Sequence, residues 1–207
     1  MKVIGLVMMA KADDTTRKQR VLIAEDNEKT RAFLAGQLEL LGYSVVGSVA
    51  NGREAVELTE KLDPGLIIMD IKMPEMDGVE AARAISAKKP VPIILITGIS
   101  SNEVPEKVVD AGVFAYLLKP VTKKQLDPAI RIALSRFKEF QGLKDEVHDL
   151  KEAMETRKLI ERAKGILMKR CTITEDDAFK VLQRYSQKEN KKMRDVAESI
   201  ISASNII

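Results

Sequence analysis

Cysteine, histidine and aromatic residues are scarce in this sequence of 207 residues. It has no tryptophan and one histidine, and aromatic residues make up 4% of it. The single cysteine, Cys171, excludes an internal disulfide and a cysteine-based metal site, so we expect a reducing, cytoplasmic location. No apolar run reaches the roughly 20 residues that span a bilayer, and we expect no membrane partner. The net charge of +3 does not by itself imply a nucleic-acid partner.

What the sequence does contain is the composition of a folded protein, with 45% hydrophobic and 31% charged residues. Its length suits one ordinary domain and a smaller one. Residues 1–19 predict a disordered extension, although their short apolar run and the small residues Ala10 and Ala12 leave a weak signal peptide as the alternative. We expect domains over 20–136 and 156–207, joined by a coiled-coil linker over 137–155.

Between Val21 and Leu118, short apolar runs alternate with amphipathic stretches. The predicted strands are Val21–Ala24, Ser44–Val49, Leu66–Met69, Ile93–Ile96 and Ala115–Leu118. The predicted helices are Glu28–Leu41, Arg53–Leu62, Gly78–Ala87 and Glu103–Ala111, with Gly42 and Gly112 as C-terminal caps. The first, third and fourth strands are apolar throughout, as strands covered on both faces are. This alternation predicts an α/β domain with a doubly wound, five-stranded parallel sheet.

Polar side chains follow these strands at their carboxyl ends, where ligands bind in an open α/β sheet. They are Glu25 and Asp26, Asp70, Thr97 and Lys119, after the first, third, fourth and fifth strands. Three crowded carboxylates repel one another unless a cation lies among them, and hard oxygen ligands favour Mg²⁺. An aspartate that attacks a phosphoryl group needs such a metal, together with a lysine and a hydroxyl for the phosphoryl oxygens. We therefore predict that Asp70 accepts a phosphoryl group with help from Lys119 and Thr97. Each residue alone could instead be a helix cap, a strand-end hydroxyl or a solvated lysine.

With Met69, Lys72, Met73, Pro74, Asp77, Gly78 and Pro120, these residues resemble the receiver domain of two-component response regulators, over residues 20–136. The resemblance implies a flavodoxin-like fold, a sensor histidine kinase as phosphoryl donor, and no enzymatic activity beyond accepting the group and hydrolysing it. It implies that Mg²⁺ is held by Glu25, Asp26, Asp70 and the backbone carbonyl of Lys72. It also implies a cis Lys119–Pro120 bond and a switch in which Tyr116 moves inward as the Thr97 hydroxyl follows the phosphoryl group.

After Pro120 the sequence predicts helices only, and Thr122 and Gln125 have the form of a capping box. An apolar stripe with spacings of three and four follows, formed by Phe140, Leu143, Val147, Leu150 and Met154. It predicts either a helix that packs on its own domain or a short coiled coil that forms a homodimer on phosphorylation.

Three further helices are predicted over Arg157–Arg170, Glu175–Gln187 and Lys191–Ala203, the second after a cap at Thr174. The first has six basic residues and one acid, Glu161. Ile160, Ala163 and Leu167 should face inward, which leaves Arg157, Arg162, Lys164 and Lys169 largely outward. The candidate RNA-binding residues are Arg157, Arg162, Lys164, Gly165, Lys169 and Arg170. A helical glycine costs about 1 kcal/mol relative to alanine, so Gly165 suggests close approach of another helix or of a ligand.

The order Ala163, Lys164, Gly165, Met168, Thr174, Phe179, Leu182, Ser186, Met193 and Ala197 resembles the ANTAR domain of transcription antitermination regulators, over residues 155–203. The resemblance implies a small three-helix domain that binds RNA hairpins in nascent transcripts. Tyr185 could stack on a base or be half-buried packing.

Two other outputs are considered. A DNA-binding helix-turn-helix, or a protein-interaction domain, would also suit a receiver, but the basic cluster precedes the turn at 169–174. His148 could be a phospho-acceptor of a signalling enzyme, yet no glycine-rich nucleotide site follows it, and a solvated histidine is the simpler interpretation.

Overall fold

The computed structural model describes residues 19–98 and 112–204. They fall into two compact units, divided between Phe140 and Gln141. The strands are β1 (Arg20–Ala24), β2 (Ser44–Val49), β3 (Leu66–Asp70), β4 (Ile93–Thr97) and β5 (Val113–Leu118). The helices are α1 (Glu28–Leu40), α2 (Gly52–Leu62), α3 (Gly78–Lys88), α4 (Lys123–Cys171), α5 (Glu175–Glu189) and α6 (Met193–Ser204). The predicted helix over 103–111 and residues 1–18 of the predicted extension lie outside the described residues.

The first unit is built on a five-stranded sheet of order β2-β1-β3-β4-β5, in which the pairs are parallel. Every residue of β3 and β4 is buried, as are the last four of β1. Apolar layers cover both faces, one including Leu22, Ile67 and Leu95 and the other Ile23, Ile68 and Ile94. The doubly wound sheet and its three buried strands are confirmed, because alternate residues of each strand enter different layers.

Local signals place the ends of several helices. Asn27 and Asp77 are N-caps whose side chains accept hydrogen bonds from backbone N–H groups, and Gly42 has the positive φ of 88° expected after a helix. The Thr122 N–H donates to the Gln125 side chain at 3.1 Å, which confirms the predicted capping box. Gln19 was assigned to the extension, but its side chain donates to the Gly65 carbonyl at 2.8 Å, so the ordered fold includes it.

The separate helix predicted over 157–170 is wrong, because α4 continues without a break through the predicted linker to Cys171. Residues 137–171 contain no proline, and Gly142 and Gly165 cost only about 1 kcal/mol each, which is too little to end the helix at either position. The helix ends where Thr172 takes a left-handed φ of 54°.

The second unit has its own core, in which Ala163, Leu182, Val196, Ala197 and Ile201 are buried. Ile160 and Leu167 pack against this core, so the predicted inward face is confirmed. Within the described ranges, no helix combines the length and apolar character that crossing a bilayer requires.

Candidate functional site

The predicted polar residues lie at one edge of the sheet. Glu25 and Asp26 follow β1, Asp70 ends β3, Thr97 ends β4 and Lys119 follows β5. Ala24 pairs with Met69, Asp70 with Ile96, and Thr97 with Leu118. Because these strands are parallel and their carboxyl ends are in register, the polar side chains that follow them lie close together.

An ion pair between Lys119 and two buried carboxylates is the centre of this site. Nζ of Lys119 donates to Oδ2 of Asp70 at 2.6 Å and to Oε1 of Glu25 at 3.0 Å. Glu25 is 0% and Asp70 5% exposed. Burial by itself would lower the pKa of Lys119, but hydrogen bonds to Asp70 and Glu25 outweigh it and raise that pKa above its ordinary value. The lysine therefore stays charged.

The acidic residues also leave unused ligand capacity for a cation. Carboxylate oxygens of Glu25, Asp26 and Asp70 lie within 4.8 Å of one another. Oε2 of Glu25 is buried and lies 2.8 Å from Nζ of Lys119, a contact that leaves lone pairs of this oxygen free for a cation. Burial raises the pKa of Glu25, although the hydrogen bond from Lys119 opposes the shift. A hard divalent ion would satisfy this oxygen, so the donor set fits Mg²⁺.

The loop after β3 brings Lys72 beside the same site. Its backbone N–H lies 3.4 Å from Oδ1 of Asp70, while its side chain is exposed. The metal contact of its carbonyl stays a prediction. Gly78 closes this loop, because its N–H donates to the Ile71 carbonyl at 2.8 Å and an added Cβ would lie 2.1 Å from the Asp70 carbonyl oxygen. Only glycine allows this close approach.

The two predicted switch residues differ in exposure. Thr97 is buried, and its carbonyl accepts a hydrogen bond from the Lys119 N–H at 2.7 Å. Tyr116 is 57% exposed on β5. The implied cis Lys119–Pro120 bond is present.

Arg31 supports the site and was missed from the sequence. Its Nη1 donates to the Glu25 carbonyl at 2.6 Å and lies 3.3 Å from that of Asp26. Arg31 follows the acidic pair by five to six residues, inside the first turns of α1, and this spacing is the signal that could have identified it.

In the second unit, four of the predicted RNA-binding residues are exposed. These are Arg157, Arg162, Lys169 and Arg170. Arg170 also donates to the Ser204 carbonyl at 3.1 Å, which ties the end of α4 to the end of α6. Each of these exposed guanidinium and ammonium groups can bind a phosphate.

Lys164 was predicted to point outward, and this is wrong. It is 7% exposed, with Nζ 2.6 Å from Glu175 and 3.0 Å from Glu161. Hydrogen bonds to Glu175 and, to a smaller extent, to Glu161 raise the pKa of Lys164, so the lysine stays charged. The acidic first turn of α5 covers this lysine, and helical periodicity within α4 alone cannot show that.

Gly165 was expected to mark close approach either of another helix or of a ligand. A Cβ added there would meet nothing within 4 Å, so close packing of another helix is wrong for the described residues. The space at Gly165 is open to a ligand, and that alternative stays a prediction.

Two family models match the sequence. The model of the response regulator receiver domain matches residues 21–131, and the model of the ANTAR domain matches residues 148–201.

Similar proteins agree with these matches. The transcriptional regulatory protein PdtaR of Mycobacterium tuberculosis (strain ATCC 25618 / H37Rv) is 46% identical over 188 residues, which cover 91% of this chain and 92% of PdtaR. The probable transcriptional regulator ycf27 of Galdieria sulphuraria is 32% identical over 62% of this chain and 50% of its own length. The signal receiver domain of a modulated diguanylate cyclase from Desulfovibrio desulfuricans G20 superposes with a TM-score of 0.55, at 37% identity over 59% of this chain and 98% of that structure.

Proposed function

Because the chain belongs to the response regulators, with a receiver domain followed by an ANTAR domain, we propose that it accepts a phosphoryl group on Asp70 from a sensor histidine kinase. Its carboxyl-terminal unit then binds RNA hairpins in a nascent transcript and controls gene expression by antitermination. The chain is not an enzyme in any wider sense: it takes the phosphoryl group from a donor and can hydrolyse its own acyl phosphate.

The observation that carries the first step is the ion pair of Lys119 with the buried carboxylates of Asp70 and Glu25. A carboxylate oxygen of Asp70 attacks the phosphorus of the phosphohistidine, the nitrogen–phosphorus bond breaks, and an acyl phosphate forms. Lys119 passes from the Asp70 carboxylate to a phosphoryl oxygen, and the Thr97 hydroxyl donates to another. Bound Mg²⁺ supplies neutralisation of the phosphoryl charge. Tyr116 turns inward as Thr97 moves.

RNA binding is assigned to the exposed cations of α4, because the phosphate backbone dominates affinity for nucleic acids. Hairpin loops add selection, since their bases are unstacked and readable. We expect Arg157→Gln and Lys169→Gln, in the full chain, to weaken binding to all hairpins alike. Each should reduce the slope of log affinity against log salt by about one unit, as one phosphate contact is lost. Titrations of hairpin RNAs with randomised loops at several salt concentrations measure both effects.

Lys151→Gln is the matched control, because Lys151 is exposed on the same helix upstream of the basic cluster. It should leave the slope unchanged. Duplex DNA is titrated at the same salt concentrations, and tighter binding to DNA than to every hairpin would replace RNA by DNA as the proposed target.

The homodimer is assigned to the apolar stripe of α4. Four side chains of the stripe are 50% to 61% exposed within a single chain, namely Leu143, Val147, Leu150 and Met154. The same spacing continues to Arg157 and Glu161, where charges end the apolar seam. Four to five apolar positions make a weak seam, which suits a dimer that forms only when phosphorylation adds a second contact.

Val147→Asp is expected to prevent this dimer, because two unpaired carboxylates would be buried in the middle of the seam. Sedimentation of the full chain with and without acetyl phosphate measures the change. His148→Asp places the same group at the next residue, away from the stripe, and should leave dimerisation intact. Equal sedimentation of the phosphorylated and unphosphorylated wild-type chain would refute phosphorylation-dependent pairing.

A further inference from the structure

A second cluster of cations lies on α5 and the turn after it. Lys180, Arg184 and Lys188 follow one another at intervals of four, so they share one edge of the helix. Lys191 and Lys192 follow in the turn, and Glu189 is the one acid between Lys180 and Lys192. All five cations are exposed.

These cations have few partners of their own. Among the residues that the structure describes, no ion pair engages Lys180, Arg184, Lys188 or Lys192, and Lys191 reaches Glu189 only at 4.0 Å. Like charges four residues apart on a helix repel one another. An anion with several charges would relieve this repulsion.

An apolar groove lies between α4, α5 and α6, and Lys191 of this cluster lines it. Its volume is about 460 Å³, and its walls include Leu167 of α4, Val181 of α5, and Val196 and Ile200 of α6. Tyr185 also lines it and is 56% exposed. Tyr185 follows Val181 by one helical turn, so its ring extends the apolar wall toward solvent.

The turn that borders the groove is firmly built. Asn190 takes a left-handed φ of 50°. The Lys191 N–H donates to the Ser186 carbonyl at 3.0 Å, and Oγ of Ser186 donates back to the Lys191 carbonyl at 2.6 Å. This pair of bonds fixes the backbone of Lys191 next to the groove that it lines.

We propose that this groove is a base-binding subsite, in which an unstacked base of an RNA loop lies on the ring of Tyr185 while Lys188 and Lys191 hold the adjoining phosphates. The proposal rests on the proposed RNA-binding function and adds a second contact surface to the cations of α4. An apolar slot with one exposed aromatic wall suits a base, because every base offers a flat face to stack. Lys191 lines the groove together with Glu189, and the neighbouring exposed residues Lys188 and Lys192 leave an excess of positive charge around it. This excess suits the phosphates of the same strand and disfavours an apolar protein segment.

The test uses the full chain and hairpin RNAs selected by the wild-type protein from a library with randomised loops. Tyr185→Ser should weaken binding by about tenfold or more, since a stacked base is lost, while Tyr185→Phe should stay within about twofold. Phe179→Ser is the matched control, because Phe179 is a 43% exposed aromatic of the same helix that does not line this groove. Lys188→Gln and Lys191→Gln should each lower the salt slope by about one unit.

Tyr185→Trp gives a measurement that does not depend on loss of binding. The chain has no tryptophan, so the new side chain is the sole indole fluorophore. Its emission should be quenched when the selected hairpin is added. It should stay unchanged with a hairpin whose loop nucleotides lack their bases.

The outcomes separate this subsite from the wider function. If the wild-type chain selects hairpins but Tyr185→Ser binds them equally well and the tryptophan emission does not change, the subsite is refuted and RNA binding stands. If Tyr185→Ser alters sedimentation but not RNA affinity, the groove is an interface between copies. If no hairpin is selected at all, the proposed function itself fails.

Discussion

Asp70→Asn is expected to abolish labelling of this protein by acetyl phosphate, down to the background of the heat-denatured chain. The amide removes the nucleophilic oxygen, while the fold should persist because Asn has almost the same shape. Lys119 contacts two buried carboxylates of the acidic cluster, Asp70 at 2.6 Å and Glu25 at 2.8 Å, and the resemblance to receiver domains assigns the nucleophile to Asp70. Labelling should also stop when EDTA removes Mg²⁺, and Glu25→Gln should raise the Mg²⁺ concentration needed for half-maximal labelling, because one anionic ligand is lost.

Asp77→Asn provides the matched control on the same loop. Asp77 caps α3 through its side chain, which accepts from the Glu80 N–H at 2.8 Å, and Asn is an equally good N-cap. This variant should be labelled at the wild-type rate. Acid-labile phosphate on Asp70→Asn at a normal rate would show that another group is the acceptor.

A phosphorylated chain is expected to bind an RNA with two adjacent hairpins about 10²- to 10⁴-fold more tightly than either hairpin alone. Two ANTAR domains of a dimer can engage two loops, and the second contact is then intramolecular. The unphosphorylated chain should show a much smaller preference, because its short apolar seam gives fewer dimers. The tightest hairpin from the randomised-loop library, synthesised singly and in tandem, supplies the probes.

Val147→Asp separates avidity from affinity in this experiment. It should remove most of the preference for the tandem RNA and leave binding to the single hairpin unchanged, because Val147 lies on the stripe and outside the basic cluster. His148→Asp should keep the preference. Equal preference for the tandem RNA in phosphorylated and unphosphorylated wild-type chains would refute the proposed link between phosphorylation and RNA binding.

The sequence by itself determined the sheet and the residues that gather at its edge. Val21–Ala24, Leu66–Met69 and Ile93–Ile96 are apolar throughout, and each leads directly into a polar residue of the site. The physical reason is that parallel strands of one sheet end at the same edge. Residues that directly follow different strands in the sequence therefore lie close together in space. The helix start at Thr122 and the positive φ of Gly42 are likewise local, because caps depend on neighbours within one turn.

Contacts between helices were decided only by the tertiary structure. Lys164 is buried because Glu175, eleven residues later in the next helix, folds onto it, and the periodicity of α4 contains no sign of that contact. The open space at Gly165 has the same origin, since the approach of another helix to α4 depends on how the three helices pack together. The unbroken length of α4 could not be predicted either, because no proline or strong cap marks a boundary near residue 156. The groove beside Tyr185 needs α4, α5 and α6 together, so its cations could be read from the sequence while the apolar slot that they border could not.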